Sequence, residues 1–423
     1  MGRSYKTKPS VSTTAEGGGA LLLCRGNLSP MTFPFTLIHR RQAVRNSLRG
    51  TAILGALLLA VPGSQAAPAA EPAKPVSPLT ISGDLRLRYE WDWDSQNSAG
   101  VARTDRDRAR ARVRLGAGYK FSNEWSAGVR LRTGNPLSQQ SPHLTFSSSD
   151  GVHDPLRVQL DRYFVQYKQG AFSGWAGRNG SPFWQQNECF WDDDVTPTGI
   201  AGTYEEKLEQ GSLATTMGAF YLPDGTNRLN GRMAGAQVKY TRPVKPSQFV
   251  LAAGLYYFDG KDGAKNLRNR NGARDYLVGV LSAQWSTPVA KDLPLTLGAD
   301  LFNNFRNYSA ADAAPLAATN ADETTGFVLS AQLGQLKQPH DWQLGYYYAH
   351  IGTFAVNASY SQDDWARFGS GPQSDVTDIK GHEFRATYVI AKNLNIAARL
   401  FLVEAITSIQ DGKRLRIDLN WKF

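Results

Sequence analysis

LTISGDLRLRYEWDW, residues 79 to 93, sets one kind of side chain against another at every second position. Leu79, Ile81, Leu85, Leu87, Tyr89, Trp91 and Trp93 share one face, while Thr80, Ser82, Asp84, Arg86, Arg88, Glu90 and Asp92 share the other. A period of two belongs to a β-strand, whose successive side chains point to opposite faces. Strands of soluble domains usually run to about five or six residues, whereas about ten tilted residues cross a bilayer. The length of this stretch therefore favours a strand that spans a membrane. RDRARARVRLGAGYK, residues 106 to 120, repeats the pattern, with Ala109, Ala111, Val113, Leu115, Ala117 and Tyr119 opposing Arg106, Arg108, Arg110, Arg112 and Arg114.

Working outward, the alternation predicts strands near 79–93, 106–120, 125–133, 157–168, 171–178, 198–207, 211–221, 231–242, 248–258, 274–287, 293–305, 324–335, 340–351, 381–390, 394–405 and 412–423, sixteen in all. Their connections alternate in length. Segments 94–105, 134–156, 179–197, 222–230, 259–273, 306–323, 352–380 and 406–411 are long, and those between them are tight turns. An even strand number with long loops on one side and short turns on the other describes an all-β, transmembrane antiparallel β-barrel of the outer-membrane kind, both ends lying in the periplasm. Aromatic residues mark the two interfaces. Tyr119, Trp125, Tyr240, Trp285, Trp342 and Trp421 fall outward at the short-turn side, and Tyr89, Trp91, Trp93, Tyr257 and Tyr348 outward at the long-loop side. No window offers the roughly 18 to 20 apolar residues of a spanning helix, since the best run, Thr51 to Val61, ends at Pro62.

That apolar run belongs to an export signal. Arg40, Arg41, Arg45 and Arg49 precede ILGALLLAV, and Ser64, Gln65 and Ala66 supply a small-residue ending. Met31 is the expected start, residues 1–30 a mis-annotated leader, 31–66 the signal peptide cleaved near Ala66, 67–78 a Pro/Ala linker and 79–423 the barrel. Of the 47 basic and 37 acidic residues, eight and one lie before position 67, so the formal charge falls from +10 to +3. A basic surface for nucleic acid is no longer implied. Cys189 alone remains, which excludes an intrachain disulfide in an oxidising compartment.

Arginine on a lipid face at mid-depth costs roughly 2–4 kcal/mol, so the alternating arginines face the lumen. The inward set is Arg86, Arg88, Arg106, Arg108, Arg110, Arg112, Arg114, Arg130 and Arg132 on the first three strands and Arg385, Arg399, Arg414 and Arg416 on the last three. Closing the barrel joins them into one wall around the aqueous channel that sixteen strands leave. The third long loop, 179–197, carries Glu188, Asp192, Asp193 and Asp194 beside Phe183, Trp184, Phe190 and Trp191. Folding inward would pack its rings on the barrel and set its carboxylates against the arginines, giving a constriction that selects by charge.

GRNGSPFWQQNECFWDDDVTPTG, Gly177 to Gly199, resembles the Gly-Arg, Asn-Pro-Phe, Trp-Asp-Asp-Asp, Pro-Glu-Gly segment of the "putative porin" family of Gram-negative outer membranes, departing at Ser181 and Thr198. The likeness in layout runs from the first arginine strands to the terminal Phe423. It implies passive diffusion of small hydrophilic solutes; the arginine wall adds an expected anion preference, and the barrel surface an expected contact with outer-membrane lipid and lipopolysaccharide. It implies neither catalysis nor a cofactor or metal, and it is compatible with a homotrimer. The ending Leu415, Ile417, Leu419, Trp421, Phe423 resembles the signal read by the barrel-assembly machinery. Rival readings are a substrate-specific carboxylate or polysaccharide channel, a lipase-like barrel using His350 and His382, a calcium site at Asp192 to Asp194, and a receptor or adhesin that displays the loop from Gly352 to Lys380.

Overall fold

A strand in a bilayer must satisfy its backbone groups from neighbouring strands, and an open edge would leave a row of them in hydrocarbon. The sheet closes. A computed structural model describes residues 77–136, 138, 140–223, 231–260, 275–309, 317–365 and 376–423, so the expected leader, the signal peptide and most of the linker lie outside the described residues. Within them the strands are β1 (Leu79–Gln96), β2 (Arg106–Lys120), β3 (Trp125–Thr133), β4 (Leu144–Ser148), β5 (Val158–Gln169), β6 (Phe172–Arg178), β7 (Thr198–Leu208), β8 (Gly211–Leu222) and β9 (Gly231–Val244). They continue with β10 (Ser247–Asp259), β11 (Tyr276–Ala290), β12 (Leu293–Asn304), β13 (Thr325–Gly334), β14 (Trp342–Ile351), β15 (Ile379–Ala391), β16 (Leu394–Ala405) and β17 (Asp411–Lys422). Every pairing is antiparallel, and β1 bonds to β2 on one side and to β17 on the other.

Sixteen of these strands are the staves of a closed barrel. The extra one, β4, shares a position with β3: β3 pairs Ser126–Arg132 with Arg114–Lys120 of β2, and β4 then pairs Leu144–Ser148 with Arg108–Ala111. Its five residues are too few to show a period, as are the four of the one-turn helix α1 (Ala317–Asn320). Turns on the short side are tight; Asp292 and Asn393 adopt left-handed φ values of 59° and 67°, which short polar side chains tolerate better than branched ones.

Register follows the sequence alternation. Leu79, Ile81, Leu87, Val113, Leu115, Leu131, Leu301, Ile417 and Leu419 stand exposed on the outer face, as a lipid-facing surface requires. Tyr119, Trp125, Trp342 and Trp421 are exposed beside the short turns, and Tyr89, Trp91 and Tyr257 toward the long loops.

The chain terminus completes the closure. Phe423 accepts a hydrogen bond from Gly83 N–H at 3.0 Å and donates its own N–H to Gly83 O at 3.1 Å, while its ring lies 5.1 Å from that of Trp421. Gly83 has to be glycine for this, because a Cβ there would fall 2.4 Å from the Phe423 ring and 2.6 Å from the Arg114 carbonyl. Gly83→Val should cost about 1–3 kcal/mol through this overlap. The measurement is the temperature at which the compact band on a detergent gel converts to the unfolded one; an unchanged temperature would show that the seam does not depend on this contact.

Candidate functional site

On β1 the inner-face order Asp84, Arg86, Arg88, Glu90, Asp92 meets complementary charge on both neighbours. Across β2 the register pairs Asp84 with Arg114, Glu90 with Arg108 and Asp92 with Arg106; across β17 it pairs Arg88 with Asp418, Glu90 with Arg416 and Asp92 with Arg414. The resulting ion pairs include Arg88–Asp418 at 2.6 Å, Arg106–Asp92 at 2.9 Å, Arg114–Asp84 at 2.6 Å, Arg414–Asp92 at 2.6 Å and a close contact of Arg108 with Glu90. Two like-charged register pairs, Arg86 with Arg112 and Arg88 with Arg110, interrupt the pattern. Carboxylates from elsewhere relieve most of that repulsion. Arg112 reaches Asp84 at 2.9 Å and Asp194 at 3.2 Å, and Arg110 lies 3.7 Å from Glu90. Arg130 and Arg132 share Asp161, Arg385 and Arg399 share Glu383, and Arg416 contacts Asp364 and Asp418. Arg86 differs: its Nε donates to Asn420 Oδ1 at 2.7 Å, and it has no ion pair among the described residues.

The opposite side of the inner wall is apolar. Phe220, Met233, Tyr256, Phe258, Tyr276, Val278, Phe302 and Val328 are all buried there, on β8 to β13. The third loop, 179–197, folds across the lumen onto this surface. Phe183 meets Tyr256 edge-on with ring centres 5.0 Å apart, and Phe190 lies 4.7 Å from the same ring. Gln237 clamps the backbone of Trp184, accepting its N–H at 2.8 Å and donating to its carbonyl at 2.9 Å. Gln186 and Asn187 reach Asp300 on β12.

A second loop folds in beside it. Residues 353–362, which lead out of β14, are buried throughout, with Phe354, Ala355 and Val356 fully enclosed. Tyr360 stacks on Trp191 with ring centres 5.8 Å apart, Asp192 N–H donates to Tyr360 O at 2.8 Å, and Gln362 N–H donates to Glu188 O at 2.9 Å. This corrects the reading of the loop from Gly352 to Lys380 as a displayed surface. Its first half carries Phe354, Val356, Tyr360 and Trp365, which only an apolar inner wall can bury; residues 366–375 lie outside the described residues. The signal for this was present in β10 and β11, where inward Val250, Ala252, Tyr256, Phe258, Tyr276 and Val278 would otherwise face water.

Between the two loops and the basic side lies a cavity of about 380 Å³, with Arg86, Arg88, Arg385 and Arg399 on the barrel side and Glu188, Asp192, Asp193 and Asp194 on the loop side. Of those four acids Asp194 alone is ion-paired, to Arg112 and to Arg114 at 2.8 Å; Glu188, Asp192 and Asp193 make no ion pair among the described residues. These three acids thus line the cavity with the arginines without pairing to them, since strand carboxylates and Asp364 already occupy most of the guanidiniums. Burial, then Asp193, pushes the Glu188 carboxyl well up, and burial with Glu188 does the same to Asp192. Burial also works against charge on Asp194, but Arg112 and Arg114 more than offset it and hold that carboxyl below its ordinary value.

The Asp192, Asp193 and Asp194 carboxylates come within 4.8 Å of one another, close enough to share a cation. Two are otherwise engaged, Asp194 with arginines and Asp192 with the Asp194 N–H at 2.8 Å. His350 and His382 sit in an aromatic belt on β14 and β15. His350 stacks on Phe327, and His382 Nδ1 pairs with the Tyr346 hydroxyl at 2.9 Å.

A closed sixteen-stave barrel with loops folded into a charged lumen has the architecture of an outer-membrane porin. The family model described as "Putative porin" matches residues 98–275 and 271–423, and the chain belongs to that family. Family and fold together support an outer-membrane location. OprB of Pseudomonas putida, solved at high pH, is similar in structure, with a TM-score of 0.52 and 13% identity over 82% of this chain and 94% of that one. Salmonella typhi OmpF, in complex with daunomycin, gives a TM-score of 0.46 and 14% identity over 82% and 97%. No curated protein sequence matches the chain.

Cys189, 3% exposed on the third loop, reports how firmly that loop is held. Trp191→Ala removes one ring of the cluster it forms with Phe258 and Tyr360 and should weaken the folded-in loop by about 3 kcal/mol. Maleimide labelling of Cys189 should then quicken by about a hundredfold, as exchange through a local opening scales with its free energy. Labelling at the wild-type rate would show that other contacts hold the loop.

Proposed function

We propose that the barrel is a water-filled channel for passive diffusion of small hydrophilic solutes, with a preference for anions and with loop 179–197 as its constriction. The observation that carries this reading is the sharing of charge on the inner wall. Twelve of the thirteen wall arginines share nine carboxylates, and Arg86 has none. A residual positive field therefore lines the path on the barrel side, and in a narrow, low-dielectric passage such a field concentrates anions. On the loop side, burial makes Glu188 and Asp192 hold their protons more readily, which lessens the opposing field.

Membership of the family supports a channel rather than an enzyme. The outward apolar belt suits outer-membrane lipid and lipopolysaccharide, and the Trp421–Phe423 terminus suits recognition by the barrel-assembly machinery. A homotrimer is the assembly proposed, with size in detergent by sedimentation as its check.

Planar-bilayer recordings in a salt gradient test the channel. Single-channel steps with a reversal potential on the anion-selective side are expected. The double variant Arg86→Gln, Arg110→Gln should move that potential toward zero. Cation selectivity in the wild type, or an unmoved potential in the variant, would refute anion preference.

A further inference from the structure

Residues 353–365, which lead out of β14, are tied to both sides of the lumen. At one end Asn304 of β12 donates to Phe354 O at 2.8 Å. Midway, Gln140 Nε2 donates to the carbonyls of Ala358, at 3.0 Å, and Ser361, and Tyr360 stacks on Trp191 of the third loop. At the other end Trp365 packs on Phe401 of β16 with ring centres 6.0 Å apart. There the Asp364 carboxylate meets three wall arginines on three strands: Arg399 on β16 at 2.8 Å, Arg88 on β1 at 3.7 Å and, in close contact, Arg416 on β17. Arg414 fixes the backbone beside it, donating to Asp364 O at 3.0 Å. The third loop reaches the same wall in the same way, through Asp194 on Arg112 and Arg114.

The arginines that Asp364 meets belong to a closed group. Arg88, Arg385, Arg399 and Arg416 share Asp364, Glu383 and Asp418, and none of these residues has an ion-pair partner outside the group among the described residues. Glu383 stands on β15 and Asp418 on β17, so the barrel itself holds them in place; Asp364 alone comes from a loop. Four guanidiniums therefore face three carboxylates, and without the charge of Asp364 they would face two. Asp364 also lines the lumenal cavity, with Arg385 on the wall and Glu188 and Asp193 on the third loop. The charge that it cancels is thus charge that a solute in the cavity would meet.

We infer that residues 353–365 form a second strap across the channel, beside the third loop, and that Asp364 both ties this strap to the basic wall and sets the net charge of the sector from β15 through β17 to β1. The inference rests on the channel reading for what the charge acts on, and it adds a specificity-determining residue. A carboxylate bridged to guanidiniums on three strands resists displacement in several directions, which a single ion pair would not.

Asp364→Asn keeps the shape of the side chain and removes its charge. The strap is tested first, by a measurement that needs no conduction. Gln362 N–H bonds to Glu188 O, next to buried Cys189, so loosening the strap uncovers that thiol. Maleimide labelling of Cys189 in the variant should quicken about tenfold, as reaction through a local opening scales with its free energy. Charge is tested in planar bilayers under a salt gradient. The ratio of anion to cation permeability should rise about threefold, the effect of one unit charge acting through water over about 7 Å. That shift has the same sign whichever ion the wild type prefers, so a cation-selective wild type would refute anion preference and leave this inference standing. Asp364→Glu, which restores the charge on a longer stem, should return the ratio toward the wild-type value; a ratio that stays with the Asn variant would overturn the role of charge. Asp364→Ser replaces the Asn variant in both measurements if the latter gives no heat-modifiable, folded band. Labelling at the wild-type rate overturns the strap, and an unchanged permeability ratio overturns the specificity role. Quickened labelling in barrels that give no conductance steps overturns the channel reading and keeps the strap, whereas steps with wild-type labelling and ratio in the variant do the reverse.

Discussion

Everything in this barrel follows from where a guanidinium can go. An arginine cannot lie against acyl chains at mid-membrane without a cost of about 2–4 kcal/mol, so a strand that alternates Arg with Ala, Val or Leu has a single tolerable rotation about its axis. A one-residue slip in register would turn every arginine of β2 outward together, and the penalties would add. The same alternation that makes the outer face apolar therefore fixes the register of β1, β2 and β17. It also places Asp84, Glu90, Asp92 and Asp418 among the arginines, where the pairs form across strands without further adjustment.

The inner wall divides into two halves with different demands. From β15 through β17 to β3 it is basic and needs water or carboxylate; from β8 to β14 it is largely apolar and needs cover. Two loops rich in aromatic residues supply that cover, and in doing so they leave the remaining space beside the basic half. The position of the cavity is thus a consequence of the wall's composition. Asp194 ties the loops to the far side by bridging to Arg112 and Arg114, so the third loop is held at both walls and spans the lumen between them.

The strands were legible because their signal is local and repeated. Three of them, β2, β3 and β16, have the ends that alternation predicts, and most others differ by a residue or two. The inward fold of the third loop was legible as well, from four aromatic residues in a segment that would otherwise be exposed. What the sequence did not disclose depends on contacts between distant segments. The inward course of residues 353–362 is decided by apolar side chains on β10 and β11, some hundred residues earlier in the chain, and the pairing of Asp364 with Arg399 and Arg416 depends on that course.

Sharing carboxylates among arginines has a further effect on rigidity. A planar guanidinium with five N–H donors can bridge two carboxylates at once, as Arg399 does between Glu383 and Asp364 and Arg112 does between Asp84 and Asp194. Lysine, with a flexible stem and a point charge, would neutralise the same acids without fixing their positions. The bridges join β1, β2, β15, β16 and β17 to both inward loops through side chains whose rotamers are already restricted, so each added contact costs little further entropy. A lumen lined in this way keeps its charges in fixed places while water fills the space between them, which is the condition a charge-selective path requires.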